Sequence, residues 1–441
     1  HGEAIGPADG LVAGMAAIDG RPVLIGVEDF TVQGGSIGHG TNAKRVRMAR
    51  LAAIEQVPYI LVLDGAGARV SNSLDRYPYS PNDMIELARL SGQVPIVALV
   101  LGSSAGHGAI TGLLADYVIA LEDATMFAAG PPLVAAATGE IVTKEQLGSA
   151  RMHASRSGVI HNVVADANAG CDAIRDYLSY FPDSSCQHPP RSPNNDDKLR
   201  YLDEIFSILP ANAQTPYDIK KLIVHLVDQG VFHEFQPLYG RSMVTGFARL
   251  GAHSVALVAN QPQFMAGSIT HDAAEKAAHF IELANAFHLP VIFLADNPGI
   301  MSGTQAEQDG TLRSAARMYA AQANLTSPKL HVTLRKAFGF GSSLMASNPF
   351  DEQTLTLALP GISLSALPAS GGSEAAGLDE DAARQLAEAE TSGAWSTGDT
   401  MAYDEIIDPG ELRNALLKGL QLANGRYQHV PQPVLRGGIF P

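Results

Sequence analysis

The chain repeats itself. Val12-Ala13-Gly14-Met15-Ala16, Gly35-Ser36-Ile37-Gly38-His39, Lys44, Pro58 and Asp64-Gly65-Ala66-Gly67 recur as Val244-Thr245-Gly246-Phe247-Ala248, Gly267-Ser268-Ile269-Thr270-His271, Lys276, Pro290 and Asp296-Asn297-Pro298-Gly299. Each element lies 232 residues beyond its counterpart, without a gap. A period of that length is the size of a domain and far exceeds a solenoid unit. Whatever one half folds into, the other must fold into as well. The expected division is residues 1–190 and 191–441, with the Asp-, Ser-, Pro- and Asn-rich stretch 183–200 as linker.

Both halves read as one α/β succession. Apolar runs at 11–18 and 22–27 flank Asp19-Gly20, a hairpin signal. Val46, Met48, Leu51, Ala52 and Ile54 suit an amphipathic helix over 41–56. Its basic residues Lys44, Arg45, Arg47 and Arg50 form either a solvated face or a landing site for phosphates. A buried strand at 59–63 ends in the glycine turn 64–69. A second buried strand, 94–101, runs into Gly102-Ser103-Ser104-Ala105-Gly106-His107-Gly108-Ala109 and a short apolar helix. Its counterpart at 329–334 runs into Arg335-Lys336-Ala337-Phe338-Gly339-Phe340-Gly341-Ser342. Ala105-Gly106-His107-Gly108 and Phe338-Gly339-Phe340-Gly341 therefore occupy matching places. Small residues at such a turn let backbone N–H groups approach a ligand. Beyond the repeat, 374–392 reads as an acidic helix and 408–424 as a last helix.

With 30 Lys and Arg against 45 Asp and Glu, the net charge of −15 argues against a nucleic-acid binder. Two cysteines, Cys171 and Cys186, make neither a disulfide framework nor a zinc cluster, and no metal site is expected. They fit a reducing cytoplasm. No run is long enough for a membrane span, and no secretory signal is visible, which leaves open a leader ahead of His1. Gly-x-Ser-x-Gly, His-Glu-x-x-His and a phosphate loop ending in Gly-Lys-Ser/Thr are absent from the sequence. His39 and His271 read as packed histidines, and Asp64 and Asp296 as turn-capping carboxylates. What remains is a pair of backbone-donor loops, the device that stabilises oxyanions.

The chain resembles the carboxyltransferase β subunits of biotin-dependent acyl-CoA carboxylases, of the propionyl- and methylcrotonyl-CoA kind. The first half carries the resemblance in Asp29-Phe30-Thr31-Val32-Gln33-Gly34-Gly35-Ser36, Gly130-Pro131-Pro132-Leu133-Val134, Ala137-Thr138-Gly139-Glu140 and Ser157-Gly158-Val159. The second carries it in Pro216-Tyr217-Asp218, Gly246-Phe247-Ala248-Arg249, Val258-Ala259-Asn260-Gln261-Pro262 and Arg335-Lys336-Ala337. It implies two tandem crotonase-like ββα-superhelix domains, the first for acyl-CoA and the second for biotin. No Met-Lys-Met biotinylation site is present, so the biotin would arrive on a biotin carboxylase or carrier subunit. The assembly implied is a homo-oligomer, a dimer at minimum and compatible with a hexamer.

The same resemblance assigns residues. Gly106 and His107 would hold the thioester enolate through their amides, and Phe340 and Gly341 the ureido anion of biotin. Gly67, Ala68, Arg69, Gly130, Pro131 and Ser343 would line the substrate site, and Gly299 and Gly339 the biotin site. The sequence departs from the family where His107 stands for a glycine and where Phe340 and Gly341 replace Gly and Ala. The His107 side chain either adds a donor or packs away. Two further functions stay open: decarboxylation of a carboxyacyl-CoA, and a catalytically weak scaffold that binds acyl-CoA.

Overall fold

The computed structural model describes residues 8–73, 82–192, 196, 198–348, 352–434 and 439–441. They fall into two compact units, His1–Gln187 with Pro431–Pro441, and His188–Val430. Of the linker stretch, Pro193, Asn194, Asn195 and Asp197 lie outside the described residues. Pro190 and Ser192 belong with the second unit, where Ser192 N donates to Ala252 O and Pro190 O accepts from Arg249 and Ser254.

In unit 1, β1 (Leu11–Ile18) and β2 (Arg21–Glu28) form the predicted hairpin. Helix α1 (His39–Glu55) crosses to β3 (Tyr59–Gly65), and α2 (Asp83–Leu90) to β4 (Ile96–Ala105). After α3 (His107–Leu113) come β5 (Tyr117–Leu121), β6 (Thr125–Phe127), α4 (Pro131–Thr138) and β7 (Asn162–Val164). The sheet order is β1-β2-β3-β4-β5-β7, with β6 paired to the far end of β4. All pairings after the hairpin are parallel. Strands covered on both faces read as continuous apolar runs, which is why 59–63 and 96–100 were legible. Leu61, Leu63, Ile96, Ala98 and Val100 pack with Met48, Ala52, Leu87 and Ile160.

Unit 2 repeats this. Strands β8 (Phe232–Phe235), β9 (Met243–Leu250) and β10 (His253–Asn260) are antiparallel. Helix α5 (His271–Ala286), β11 (Val291–Asn297), α6 (Thr311–Ala323), β12 (Lys329–Phe338) and α7 (Gly339–Leu344) follow. Then β13 (Leu355–Ala358), β14 (Ser363–Ser365) and β15 (Glu405–Ile406) complete the order β15-β13-β12-β11-β10-β9-β8, with β14 on β12. Ala13 pairs with Gly26, and Thr245 with Val258, at the same offset of 232. The register break between Leu63 and Gly65 returns between Ala295 and Asn297. From β12 the offset becomes 233, since Leu61 faces Ala98 while Phe293 faces His331.

Two expectations change. The acidic segment is not one helix but α8 (Ala369–Ala376) and α9 (Glu380–Glu390), split at Gly377 in the left-handed conformation. The basic residues of α1 are not one solvated face, because Arg45 is buried with Thr41, Met48 and Ala52 on the core stripe.

The same lysine ties down each copy's entering chain. Lys44 Nζ donates to the carbonyls of Ala8 and Leu11, and Lys276 Nζ to those of Gln236 and Tyr239. Lys276 is fully buried, and burial pulls its amine down to about 7. The unfolded chain keeps that proton to about pH 10.4. The unfolded state therefore binds more protons between those values, and stability rises with pH across the window. Relative to Lys276→Met, the parent should gain about 1.4 kcal/mol of unfolding free energy per pH unit between about pH 7 and 9. Denaturant titrations at several pH values measure it, and parallel slopes would refute it.

Candidate active site

The two donor loops are built alike. Strand β4 stops at Ala105, Gly106 turns at φ +52, and α3 begins at His107. Strand β12 stops at Phe338, Gly339 turns at φ +52, and α7 follows. A side chain at Gly106 would come 3.3 Å from Ala128 O, and one at Gly339 2.9 Å from Ala366 O. The amides that open α3 and α7 have no acceptor within their own helix, as in any first helical turn. Gly106 itself donates to Phe127 O at 2.9 Å, so its N–H is spent on the β4–β6 edge. The donors left in the first loop are the amides of His107 and Gly108.

The turn after β3 lies against this loop. Gly67 has φ +80, and a Cβ there would stand 2.4 Å from Ala105 O and 3.6 Å from His107 N. Ala68 bridges to Ile37, as Ile300 bridges to Ile269 in the other copy. Arg69 does not reach outward. Its guanidinium donates to Asp9 Oδ1 at 2.6 Å, to Ser36 O at 2.8 Å and to Ser36 Oγ at 3.0 Å. Burial pushes the Asp9 carboxyl up, but Arg69 and the amides of Gly10 and Thr41 hold it below its usual range. Arg69 also explains Gly38, where a Cβ would meet Nη1 at 2.3 Å. Lacking a capping side chain there, α1 takes its cap from Asp9, which accepts from Thr41 N. In the second copy Met301 replaces the arginine, and Thr270 caps α5 in the ordinary way.

Beneath the first loop runs a chain of buried charges that the sequence did not reveal. Nε2 of His107 lies 2.6 Å from Oδ1 of Asp83, which is fully buried. Asp83 Oδ2 lies 3.5 Å from Arg45, Arg45 pairs with Glu28, and Glu28 Oε2 accepts from Asp64 N at 2.7 Å. Burial raises the Asp83 carboxyl, yet His107 and Arg45 outweigh it and keep it below the ordinary range. Breaking such a pair from one side typically costs about 3–5 kcal/mol, because a charge is left unpaired. Its members are 17 and more residues apart. The one signal in the sequence is Arg45 on the 41-45-48-52 stripe of α1.

The second copy has amides where the first has charges. Asn260 Oδ1 accepts from Asp296 N at 3.1 Å and from Asn297 Nδ2 at 3.1 Å. Gly341 must be glycine, since a Cβ would lie 2.2 Å from Asn297 Oδ1 and 2.7 Å from Gly299 Cα. Asp296 pairs with Arg335 at 2.7 Å, and Arg335 stacks over Tyr217 and donates to the carbonyls of Asn212 and Thr215. Gly299, Gly339, Phe340 and Ser343 line one cleft of about 850 Å³. Its other wall is Leu364–Pro368 with Thr397, and among the described residues no charged one lines it. Phe340 is 79 % exposed at this cleft. In unit 1, Gly130 and Pro131 start α4, none of whose residues is buried. His271 is bonded to Ser314, as a packed histidine should be.

Matched strands, matched φ and matched glycine turns make this one loop geometry used twice, and the Carboxyl transferase domain family matches residues 2–434. The chain belongs to the carboxyl transferase family. This carboxyl transferase is 33% identical over 451 residues to the methylmalonyl-CoA carboxyltransferase 12S subunit of Propionibacterium freudenreichii subsp. shermanii, spanning 100% of this chain and 85% of that one. It is 33% identical over 431 residues to the methylmalonyl-CoA decarboxylase subunit alpha of Veillonella parvula, spanning 97% and 84%. A crystal structure of transcarboxylase 12S, a hexamer with hydrolysed methylmalonyl-CoA bound, matches with a TM-score of 0.88 at 31% identity, over 98% of this chain and 84% of that one. The resemblance and the two-domain crotonase-like fold read from the sequence hold.

Gly67→Ala separates contact from backbone cost. Gly20 has nearly the same φ, +79, with nothing within 4 Å. Gly20→Ala should cost about 1–2 kcal/mol of stability and leave activity intact. Gly67→Ala must also displace Ala105 and should lower turnover about a hundredfold. Equal turnover in the two variants would refute the contact argument.

Proposed function

We propose that this carboxyl transferase moves a carboxyl group between carboxybiotin on a partner subunit and the α or vinylogous carbon of an acyl-CoA. The observation that carries it is the doubled donor loop, one copy over buried charges and the other opening on a neutral cleft. The amides of His107 and Gly108 receive the thioester oxygen as it gains charge. A single such donor is worth about a hundredfold or more in rate. Gly67 lets the β3 turn close against that loop. The amides of Phe340 and Gly341 serve the ureido oxygen, and the uncharged walls of the cleft, with Phe340, Leu364 and Leu367, suit a neutral bicyclic ring. Biotin, when bound there, supplies the carboxyl group and a ring nitrogen able to take the α-proton. No side-chain base is then required. The likeness to the 12S subunit supports methylmalonyl-CoA as a substrate and a hexamer as the assembly. The likeness to the decarboxylase subunit supports the reverse direction as a second use of the same site. Two free, exposed cysteines support a reducing cytoplasm.

The full-length protein should transfer the carboxyl group of methylmalonyl-CoA to free biotin, releasing propionyl-CoA in a biotin-dependent way. Chromatography of the CoA esters reads the product. No transfer from methylmalonyl-, malonyl- or carboxylated methylcrotonyl-CoA would leave the scaffold reading instead. The resemblance gives Ser343 to the acyl group, but Ser343 lines the cleft read here as the biotin site. Ser343→Ile should therefore raise KM for free biotin and leave the preference among acyl chain lengths unchanged. A shift towards shorter acyl groups would return Ser343 to the acyl site.

A further inference from the structure

We infer that Asp83 is a positioning residue for the loop at 105–108, acting through the His107 side chain on the direction of the His107 and Gly108 amides. The inference rests on the reading of that loop as the enolate site. An amide needs no side chain to act, and the family pattern has glycine at this place. Here the residue carries an imidazole, and its Nε2 is fixed 2.6 Å from a carboxylate with no exposure. Asp83 is fixed in turn. It opens α2, where Met84 N donates to Asn82 Oδ1 at 2.9 Å, and it faces Arg45 from α1. Arg45 holds Glu28 at the end of β2, and Glu28 accepts the N–H of Asp64 at the end of β3. Three residues on, Gly67 lies so close to the loop that a Cβ there would stand 2.4 Å from Ala105 O and 3.6 Å from His107 N. The chain of charges thus leaves the donor loop and returns to the turn that packs against it. Both segments beside the His107 N–H hang on one set of bonds.

The second copy shows what the loop looks like without this tether. At the places of Glu28 and Arg45 stand Asn260 and Ala277. At the place of His107 stands Phe340, whose side chain turns out to the cleft. Its loop keeps the same turn, Gly339 at φ +52, with the Asn297–Asn260 hydrogen bond where the first copy has Glu28 and Arg45. The tether is therefore not required to fold such a loop. It is specific to the copy that receives the thioester, where a donor displaced by about 1 Å can cost about a hundredfold.

The test is carboxyl transfer from methylmalonyl-CoA to free biotin by the full-length protein. His107→Gly keeps the amide and removes the tether. It should lose about a hundredfold in kcat while KM for methylmalonyl-CoA stays within about threefold. Asp83→Asn should do the same, and the double variant should be no worse than either single one, since both act along one line. His107→Gln, whose amide can still reach Asp83, should recover part of the loss. A purely structural role would lower the melting temperature and leave this split between kcat and KM untouched. Parental kcat in His107→Gly, losses that multiply in the double variant, or a loss carried wholly by KM would each overturn the inference. If Asp83→Asn does not fold, His107→Gly and His107→Gln decide it alone. An inactive parent removes the function reading and this inference with it, whereas an active parent with unaffected variants removes only the inference.

Discussion

Two close approaches of main chain to main chain govern both halves. A Cβ at Gly35 would stand 2.3 Å from Asp64 O, and one at Gly267 2.5 Å from Asp296 O. Only glycine allows the crossover out of the hairpin to lie on the end of the third strand. That contact aligns Ile37 N with Gly67 O and Ile269 N with Gly299 O. It sets the height of the glycine turn, and the turn sets how near it comes to the donor loop. The helices and the core could tolerate many substitutions of similar volume. The site tolerates none at these two positions without moving the turn.

Within this shared frame the copies have diverged in polarity rather than in path. The first uses Glu28, Arg45, Asp83 and His107 where the second uses Asn260 and Asn297 with alanines around them. The reverse holds one layer away. Arg335 fills the space over Asp296 in the second copy, while Gly102 leaves that space to the Asp64 carboxylate in the first. Burial pushes the Asp64 carboxyl up. Charge is expensive to bury, and around the loop the two copies bury their ion pairs in different places. The result is one fold presenting two electrostatic environments.

The repeat, the strand runs and the paired loops were legible because they are local or periodic. A continuous apolar run marks a strand covered on both faces, and Gly106 and Gly339 stand where a turn needs positive φ. The duplication itself checked each assignment twice. What was not legible depends on partners far apart in the chain. Arg45 reads as one more cation on a basic helix until Asp83 and Glu28 close on it. Arg69 reads as a substrate ligand until Asp9 and Ser36 take up its Nε and Nη2 donors. Gly106 N–H looks free until β6, about twenty residues on, accepts it. The split of the acidic tail at Gly377 was a local signal, a glycine after a helical turn, that a helix pattern continuing beyond it obscured.

The single residue gained between β11 and β12 has a consequence for how this gene could be rearranged. Up to Gly299 the copies align at 232, and from Lys329 onward they align at 233. A chimera that exchanged segments at a constant spacing across this point would slip β12 by one residue against β11. Every side chain of β12 would then change faces, sending Lys336 and Arg335 to each other's sides of the sheet. Recombination between the halves at constant spacing can preserve the fold only with both junctions on one side of residues 300–328. That span, although it carries no donor loop, divides the repeat into two blocks that keep their register when the connection between them is moved whole.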